Sequence, residues 1–92
     1  MNFNLIYKGD FSKGKWHGKG KEYEEYGDKN YLIFEGEFLD GKRNGKGKEY
    51  YKEGKLKFEG EYLNGERNGM GKEYYSNGGI AYKGEYVNGE RK

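Results

Sequence analysis

The amino-acid sequence predicts an all-β protein: antiparallel β-hairpin repeats forming a single-layer, elongated, twisted sheet of about seven strands. Three observations predict this fold. A unit of 24 residues recurs, apolar and polar residues alternate within it, and Asn-Gly or Asp-Gly dipeptides follow the alternating stretches. A fixed period of this size is typical of repeat architectures. Period-2 alternation indicates strands, and Asn-Gly or Asp-Gly supplies the positive φ of tight hairpin turns.

The repeat is clearest in the middle of the chain. Residues 34–57 and 58–81 are identical at 15 of 24 positions. Residues 7–33 are a longer copy with three additional residues in its second half, and residues 82–92 begin a fourth copy. We therefore expect one domain, 1–92, made of three complete units and one partial unit.

The composition excludes several classes of protein. The chain has no Cys, which excludes disulfides, thiolate metal sites and Cys nucleophiles. It has 18 basic and 16 acidic residues, and this near balance argues against a strong polyanion binder. No apolar run approaches the roughly 18 residues of a membrane span, and the N-terminus lacks the features of a secretory signal. A cytoplasmic location is the expectation.

The first strand of each unit carries aromatic residues on one face. In the third unit, Leu56, Phe58 and Tyr62 occupy alternate positions, and Gly60 lies on the same face between the two rings. Glycine weakens a strand and usually marks a close approach of other atoms to the backbone. We expect the neighbouring rings to lie over this glycine.

Each first strand leads into a turn and a second strand. The turns are predicted at 12–15, 39–42, 63–66 and 87–90, and the second strands are predicted to begin at Gly18, Gly45 and Gly69. A second turn then leads to the next unit, and the first unit carries its three additional residues there. No second strand would cover residues 80–87, so we expect a free edge there that can pair with a second copy in a homodimer.

This pattern of aromatic and glycine positions resembles the MORN repeat, whose consensus is similar to Y-x-G-x-[WF]-x-x-G-x-x-x-G-x-G. The matching positions are Tyr7, Gly9, Phe11, Gly14, Gly18 and Gly20; Phe34, Gly36, Phe38, Gly41, Gly45 and Gly47; Phe58, Gly60, Tyr62, Gly65, Gly69 and Gly71; and Tyr82, Gly84, Tyr86 and Gly89.

The resemblance implies a single-layer twisted antiparallel sheet and a scaffold or adaptor role. Some members bind an extended or helical partner segment along an aromatic groove, some dimerise, and membrane-lipid binding has been proposed for them. The second half of the unit is also similar to bacterial repeat proteins described as antitoxin-like.

The sequence gives little support for a catalytic or ligand-binding site. The stretch from Gly36 to Lys42 fits GxxxxGK, but a phosphate-binding loop needs a following Ser or Thr, and Arg43 follows here. His17 is the one histidine, and its counterparts in later units are Asn, so we interpret it as a turn residue. We predict no enzyme, no catalytic residue, no metal site and no cofactor.

Charged residues recur in columns. Asp10, Glu37, Glu61 and Glu85 form an acidic column, and Arg43, Arg67 and Arg91 form a basic one, interrupted where Trp16 replaces Arg. We interpret these columns as a surface ladder across neighbouring hairpins, with paired catalytic carboxylates as the alternative. The column Lys21, Lys48 and Lys72 is followed at each position by Glu, which favours a mixed-charge face over a nucleic-acid stripe.

The aromatic residues are the best candidates for function. They are the core of the sheet, and a single layer leaves part of such a face uncovered as an interaction surface. Rings of alternate strands would lie roughly 10 Å apart and leave slots for side chains of a helical or extended partner segment. The predicted partner-binding residues are Phe34, Phe38, Phe58, Tyr62, Tyr82 and Tyr86, with Tyr50 and Tyr74 at the flank.

The leading function is therefore a non-enzymatic protein–protein interaction scaffold or adaptor that binds a partner segment or itself. A peripheral membrane or phosphoinositide-binding module is the alternative, and an antitoxin-like binder is a further one. Docking on aromatic side chains should depend little on salt, whereas membrane attachment through lysines should weaken sharply. Nucleic acid is not expected as a partner.

Overall fold

The computed structural model describes residues 4–92, which form one antiparallel sheet whose strands follow chain order. Its strands are β1 (Asn4–Ser12), β2 (Lys15–Tyr26), β3 (Lys29–Leu39), β4 (Lys42–Tyr50), β5 (Leu56–Leu63), β6 (Glu66–Tyr74), β7 (Ile80–Val87) and β8 (Glu90–Arg91). The predicted fold is confirmed, with eight strands where about seven were expected. Within residues 4–92 no helix could cross a membrane.

The hairpin turns have the geometry that the Asn-Gly and Asp-Gly dipeptides predict. Asn64 and Gly65 have φ angles of 52° and 92°, and the turns at Asp40 and Asn88 repeat this geometry. Two consecutive positive φ angles define the turn whose twist matches that of the flanking strands. Each turn also contacts the preceding unit, since the amide of Gly65 donates to the carbonyl of Arg43 at 2.8 Å. The turns therefore join neighbouring units as well as neighbouring strands.

The second strands begin three residues earlier than predicted, because each contains a bulge. In the second unit Gly36 pairs with Gly47 and Phe38 pairs with Arg43, so Glu37 faces the three residues 44–46. Gly45 adopts a φ of 105° there, and a Glu37 carboxylate oxygen accepts a hydrogen bond from the Lys46 amide at 2.8 Å. The bulge thus has its own acceptor, and strand pairing continues on both sides of it. His17 lies at the corresponding part of β2, within a strand and outside the predicted turn.

A row of paired glycines crosses the sheet from β1 to β7. It consists of Gly9, Gly20, Gly36, Gly47, Gly60, Gly71 and Gly84. We call it the glycine row. A Cβ on Gly36 would lie 2.6 Å from the Cα of Gly47, and a Cβ on Gly47 would overlap the Phe34 ring. The rings therefore lie over the glycines, as the sequence predicted.

The C-terminal edge is less open than predicted. β8 pairs with Tyr86 and Val87, and the Lys92 amide donates to the carbonyl of Glu85 at 2.9 Å. The expectation of a free edge is therefore wrong for residues 85–87, because the turn at Asn88 folds the last residues back onto β7. Pairing of two copies through residues 80–84 stays a prediction.

Candidate functional site

The sheet has two faces of different chemistry. Alternation along the strands places Phe34, Phe38 and Phe58 on one side and their charged neighbours in sequence on the other. We call the first side the ring face and the second side the groove face. The core is on the ring face and consists of Phe34, Phe38, Phe58, Tyr62 and Tyr86, with Tyr7, Trp16, Ile33 and Tyr82 packed against it.

The rings of the core contact each other edge to face in a continuous series. Phe34 meets Phe38 with ring centroids 5.4 Å apart and meets Tyr62 at 5.1 Å. Phe58 continues the series to Tyr62 at 5.6 Å and to Tyr86 at 5.2 Å. Edge-to-face contacts at these distances are the favourable geometry of aromatic pairs. Successive first strands are therefore joined by direct ring contact.

This packing corrects the predicted trough. Phe34 and Phe58 are fully buried, and Phe38, Tyr62 and Tyr86 are at most 4% exposed. The predicted 10 Å slots between rings are absent, because each ring tilts to meet its neighbour in the next unit. These five residues form the core of the sheet. Tyr82 is partly exposed, and its role in partner binding stays a prediction.

An alternating ladder of acidic and basic side chains borders the rings. Glu49 accepts two hydrogen bonds from the Arg67 guanidinium, both at 3.1 Å, and lies 3.8 Å from Arg43. The full ladder runs Glu22, Arg43, Glu49, Arg67, Glu73, Arg91. It begins at Glu22 because Trp16, at the preceding Arg position, stacks on Tyr7 with centroids 4.4 Å apart.

The ladder also covers the rings. The Arg43 guanidinium lies 4.1 Å from the Phe34 ring centroid, and Arg67 repeats this contact on Phe58 at 4.1 Å. The Tyr62 hydroxyl donates to Glu49 at 2.5 Å. The ring face thus combines apolar packing with cation–π contacts and ion pairs.

The ladder differs from the predicted one in its acidic members. The arginines pair with Glu22, Glu49 and Glu73, whereas Glu37 and Glu61 accept hydrogen bonds from backbone amides in the bulges. The predicted acidic column is thus not the partner of the arginines. The reason is the bulge, which changes the register between the arginine and the rest of its strand.

Titration of the ladder follows from these contacts. Burial raises the pKa of the Glu49 carboxyl, but hydrogen bonds from Arg67 and Tyr62 outweigh this effect and hold its pKa below the ordinary value. Burial and the Glu49 carboxylate raise the pKa of Tyr62. Burial and a hydrogen bond to Glu73 raise the pKa of Tyr86 to about 12. Glu49 is therefore charged at neutral pH, and Tyr62 and Tyr86 are protonated there.

The groove face carries an open groove of about 950 Å³ that runs across the strands. Five members of the glycine row, Gly20, Gly36, Gly47, Gly60 and Gly71, lie along its floor. The residues before and after each glycine form its two sides. One side is a continuous cross-strand row, Lys8, Lys21, Glu35, Lys48, Glu59, Lys72 and Lys83. We call it the Lys–Glu row. The other side contributes Lys19, Glu37, Lys46, Glu61 and Met70.

The glutamates of the groove accept hydrogen bonds, whereas its lysines form no ion pairs in the described part of the chain. Glu35 accepts a hydrogen bond from the Tyr50 hydroxyl at 2.5 Å, and Glu59 accepts one from Tyr74 at 2.7 Å. No lysine that lines the groove lies within 4.0 Å of a carboxylate in residues 4–92. The ammonium group of Lys8 lies 5.4 Å from the Tyr23 ring centroid. The lysines of the groove thus have charge available for a ligand.

Tyr50 and Tyr74 belong to this face. Their hydroxyls reach Glu35 and Glu59, which point away from the rings, so both tyrosines flank the groove. The predicted trough joined them with Phe34 and Phe58 in one surface. The sheet separates them instead, because Glu49 lies across from Phe34 and Phe58 and Tyr50, the next residue of β4, therefore points to the other face. Their assignment to partner binding stays a prediction.

Sequence reasoning missed the groove. The signal was present, because Lys or Glu stands on both sides of nearly every glycine in the row. The mixed-charge face predicted from the sequence combines Glu22, Glu49 and Glu73 with the adjacent lysines. In the structure these glutamates lie on the ring face, opposite Lys21, Lys48 and Lys72.

Other candidate chemistry finds no geometry to support it. The GxxxxGK stretch from Gly36 to Lys42 covers a strand and its hairpin turn, so its amides belong to the sheet. Among residues 4–92 no group of three or more His, Cys, Asp or Glu side chains is placed to hold a metal ion.

Comparison with known families agrees with the repeat seen in the structure. The family model described as the MORN repeat matches residues 7–23, 34–55, 58–80 and 82–92. These matches follow the four units and cover most of the chain. No curated protein matches the chain significantly.

Proposed function

The chain belongs to the MORN repeat family, and from this premise we propose that it is a non-enzymatic scaffold that holds a partner protein's segment in the groove. Modules of this family generally take part in protein or membrane interactions. The proposal rests on a difference between the two faces of the sheet. The ring face packs and pairs its own aromatic and charged side chains, whereas the groove face presents lysines that have no carboxylate of the described residues within 4.0 Å.

The rim of the groove face adds apolar contact area. Leu39, Leu63 and Val87 are exposed at equivalent positions of three units. Each follows a buried core residue in sequence, so each points to the groove face. Met70 lines the groove itself and is exposed. Exposed apolar side chains beside a groove are typical of protein-binding surfaces.

A membrane or phosphoinositide partner is the second candidate, favoured by the seven lysines that line the groove. Two observations favour protein over membrane. The lysines line a recess, whereas a flat bilayer surface meets protruding residues. Four glutamates line the same recess and would repel anionic headgroups. Vesicles with and without phosphoinositide test this candidate, and salt-sensitive binding to the phosphoinositide vesicles alone would favour it.

Selection of displayed peptides on the immobilised protein tests the proposal. We expect peptides to be enriched and their binding to be lost in Met70→Trp, which fills the groove at an exposed position. Phe11→Trp is the matched control, since Phe11 is exposed on the ring face. Peptides that tolerate Met70→Trp but not Phe11→Trp would place binding on the ring face and overturn the proposal. Failure to enrich any peptide would also contradict it.

A further inference from the structure

The Lys–Glu row has an uneven charge sequence. Read across the sheet from β1 to β7, its signs are plus, plus, minus, plus, minus, plus, plus. In the second and third units the residue before the first-strand glycine is Glu35 or Glu59, and each lies between two lysines. In the first and fourth units this position is Lys. As a result Lys8 directly faces Lys21, and Lys72 directly faces Lys83.

These like-charge pairs are unfavourable for the sheet by itself. Like charges directly opposite each other in an antiparallel pair destabilise it, and opposite charges stabilise it. A Glu in place of both Lys8 and Lys83 would continue the alternation of sign seen in the middle of the row. The two lysine pairs therefore concentrate positive charge at the two ends of the groove.

The middle of the groove has the opposite sign. There β3, β4 and β5 contribute the residues Glu35, Glu37, Lys46, Lys48, Glu59 and Glu61. These four carboxylates and two ammonium groups leave a net negative charge. The β1–β2 end contributes three lysines, and the β6–β7 end contributes two. The groove is thus positive, negative and positive along its length.

We propose that the groove selects a protein segment with acidic side chains at both ends and none between them. This inference rests on the proposed function and specifies its partner. The two lysine pairs are five strand spacings apart, about 24 Å at about 4.8 Å per strand. An extended peptide covers this distance in about seven residues at about 3.3 Å each. Complementary charge at both ends fixes the position of the segment along the groove.

The distance between the two lysine pairs fits a short extended segment. An α-helix rises about 1.5 Å per residue and would need about 16 residues to join the same two pairs, whereas an extended segment needs about seven.

The same charges disfavour a continuous polyanion. A nucleic-acid strand bears a phosphate at every residue, and those above β3 and β5 would meet Glu35, Glu37, Glu59 and Glu61. A peptide can leave its middle uncharged or basic. The change of sign along the groove therefore favours a peptide over a nucleic-acid strand. The net charge of the groove alone would not distinguish the two.

Two synthetic peptides of identical composition test the inference. One has two Glu at each end separated by five uncharged residues, and the other has its four Glu together in the centre. We expect wild-type protein to bind the first peptide about tenfold or more tightly than the second, as measured by calorimetry. Equal affinities would overturn the inference. Single-stranded DNA that binds more tightly than the first peptide would also overturn it.

The variant Lys8→Glu/Lys83→Glu tests the two ends directly. It extends the alternating pattern to the first and fourth units, so we expect unchanged or higher stability and complete loss of the tenfold preference. Lys15→Glu/Lys29→Glu is the control, with the same charge change at exposed positions outside the groove. It should keep the preference. A preference that persists in Lys8→Glu/Lys83→Glu would overturn the inference.

Failure of the inference can be told apart from failure of the proposed function. If both peptides bind equally and Met70→Trp removes both, the groove binds segments without this selectivity. The same conclusion follows if neither synthetic peptide binds while display-selected peptides bind and are lost in Met70→Trp. If Met70→Trp affects no binding, the proposed function itself is wrong.

Discussion

Glu49 is the central acidic residue of the ladder, and its neutralisation tests whether the ladder stabilises the sheet. Its carboxylate accepts two hydrogen bonds from Arg67 and one from Tyr62. The side chains of Glu49 and Arg67 are 16% and 18% exposed, respectively, so solvent competes little for these bonds. The change Glu49→Gln keeps the size of the side chain and removes its charge.

The expected cost follows from what Glu49→Gln removes and what it leaves. A hydrogen bond to a charged group contributes about 1.5–3 kcal/mol, and the amide retains one oxygen as an acceptor. Arg67 keeps Glu73 at 3.3 Å, and Arg43 keeps Glu22 at 2.7 Å, so neither arginine is left unpaired. The cost should therefore lie below the 3–5 kcal/mol of an orphaned buried charge. We expect about 2–3 kcal/mol, as a loss in the free energy of unfolding.

The assay is denaturant unfolding at neutral and acidic pH, with Glu85→Gln as the control. Glu85 pairs with Lys92 at 3.4 Å, and both side chains are mostly exposed. Glu85→Gln should therefore lower the free energy of unfolding by less than about 1 kcal/mol. The pKa of Glu49 is lowered by folding. Its contribution is therefore present above the ordinary pKa of 4.5 and is lost as the pH falls through the folded value. The difference between wild type and Glu49→Gln should shrink accordingly.

Two results would refute this reasoning. One is a cost of Glu49→Gln at neutral pH no larger than that of Glu85→Gln. The other is a difference from wild type that stays undiminished in acid. The first result would mean that the ladder does not stabilise the sheet, and the second would mean that Glu49 stabilises it by something other than its charge.

Three further predictions concern the core, the glycine row and the tyrosines. Phe58→Ala should lower the free energy of unfolding by about 3–5 kcal/mol because its ring is fully buried. Phe11→Ala, at a ring that is 60% exposed, should lower it by less than about 1 kcal/mol. Similar losses for the two variants would contradict the assignment of the core. Gly47→Ala should cost about 1–3 kcal/mol in denaturant unfolding because its methyl group overlaps a core ring, and a harmless change would show that the ring can move aside. Burial raises the pKa of both Tyr50 and Tyr86 from 10.0 to about 12, and in each a hydrogen-bonded carboxylate adds to the rise. The stability that these two tyrosines contribute should be complete below pH 10 and lost as the pH rises toward 12. Tyrosinate absorbance near pH 10 that is present in the folded wild type and missing in Tyr50→Phe or Tyr86→Phe would contradict this.

Each short unit contributes to the core on one face of the sheet and to the groove on the other. On the ring face, two aromatic residues of each unit contact their neighbours, and in the second and third units an arginine paired with glutamate covers them. On the groove face, the residues that flank the glycines stay accessible. Changes in the groove lysines can therefore alter binding with little effect on the core, which is what makes the charge-reversal variants informative.

Local patterns determined the fold and could be read from the sequence. The 24-residue period, the alternation around Phe58 and the Asn64–Gly65 turn each act over a few residues, and each indicates the same hairpin. The contact of a ring with the glycine two positions away is also local, since residues two apart face the same side of one strand. These features predicted the antiparallel repeat sheet without knowledge of tertiary structure.

Only the tertiary structure decided which charges meet and which surface remains open. The bulge at residues 44–46 changes the register, so Arg43 meets Glu22 and Glu49 while Glu37 accepts a backbone hydrogen bond. The tilt of the rings closes the predicted slots, and it depends on contacts between units. The groove depends on residues from seven strands arranged in one row. Register and ring tilt depend on how one strand or unit pairs with the next, and a periodic sequence permits more than one such pairing.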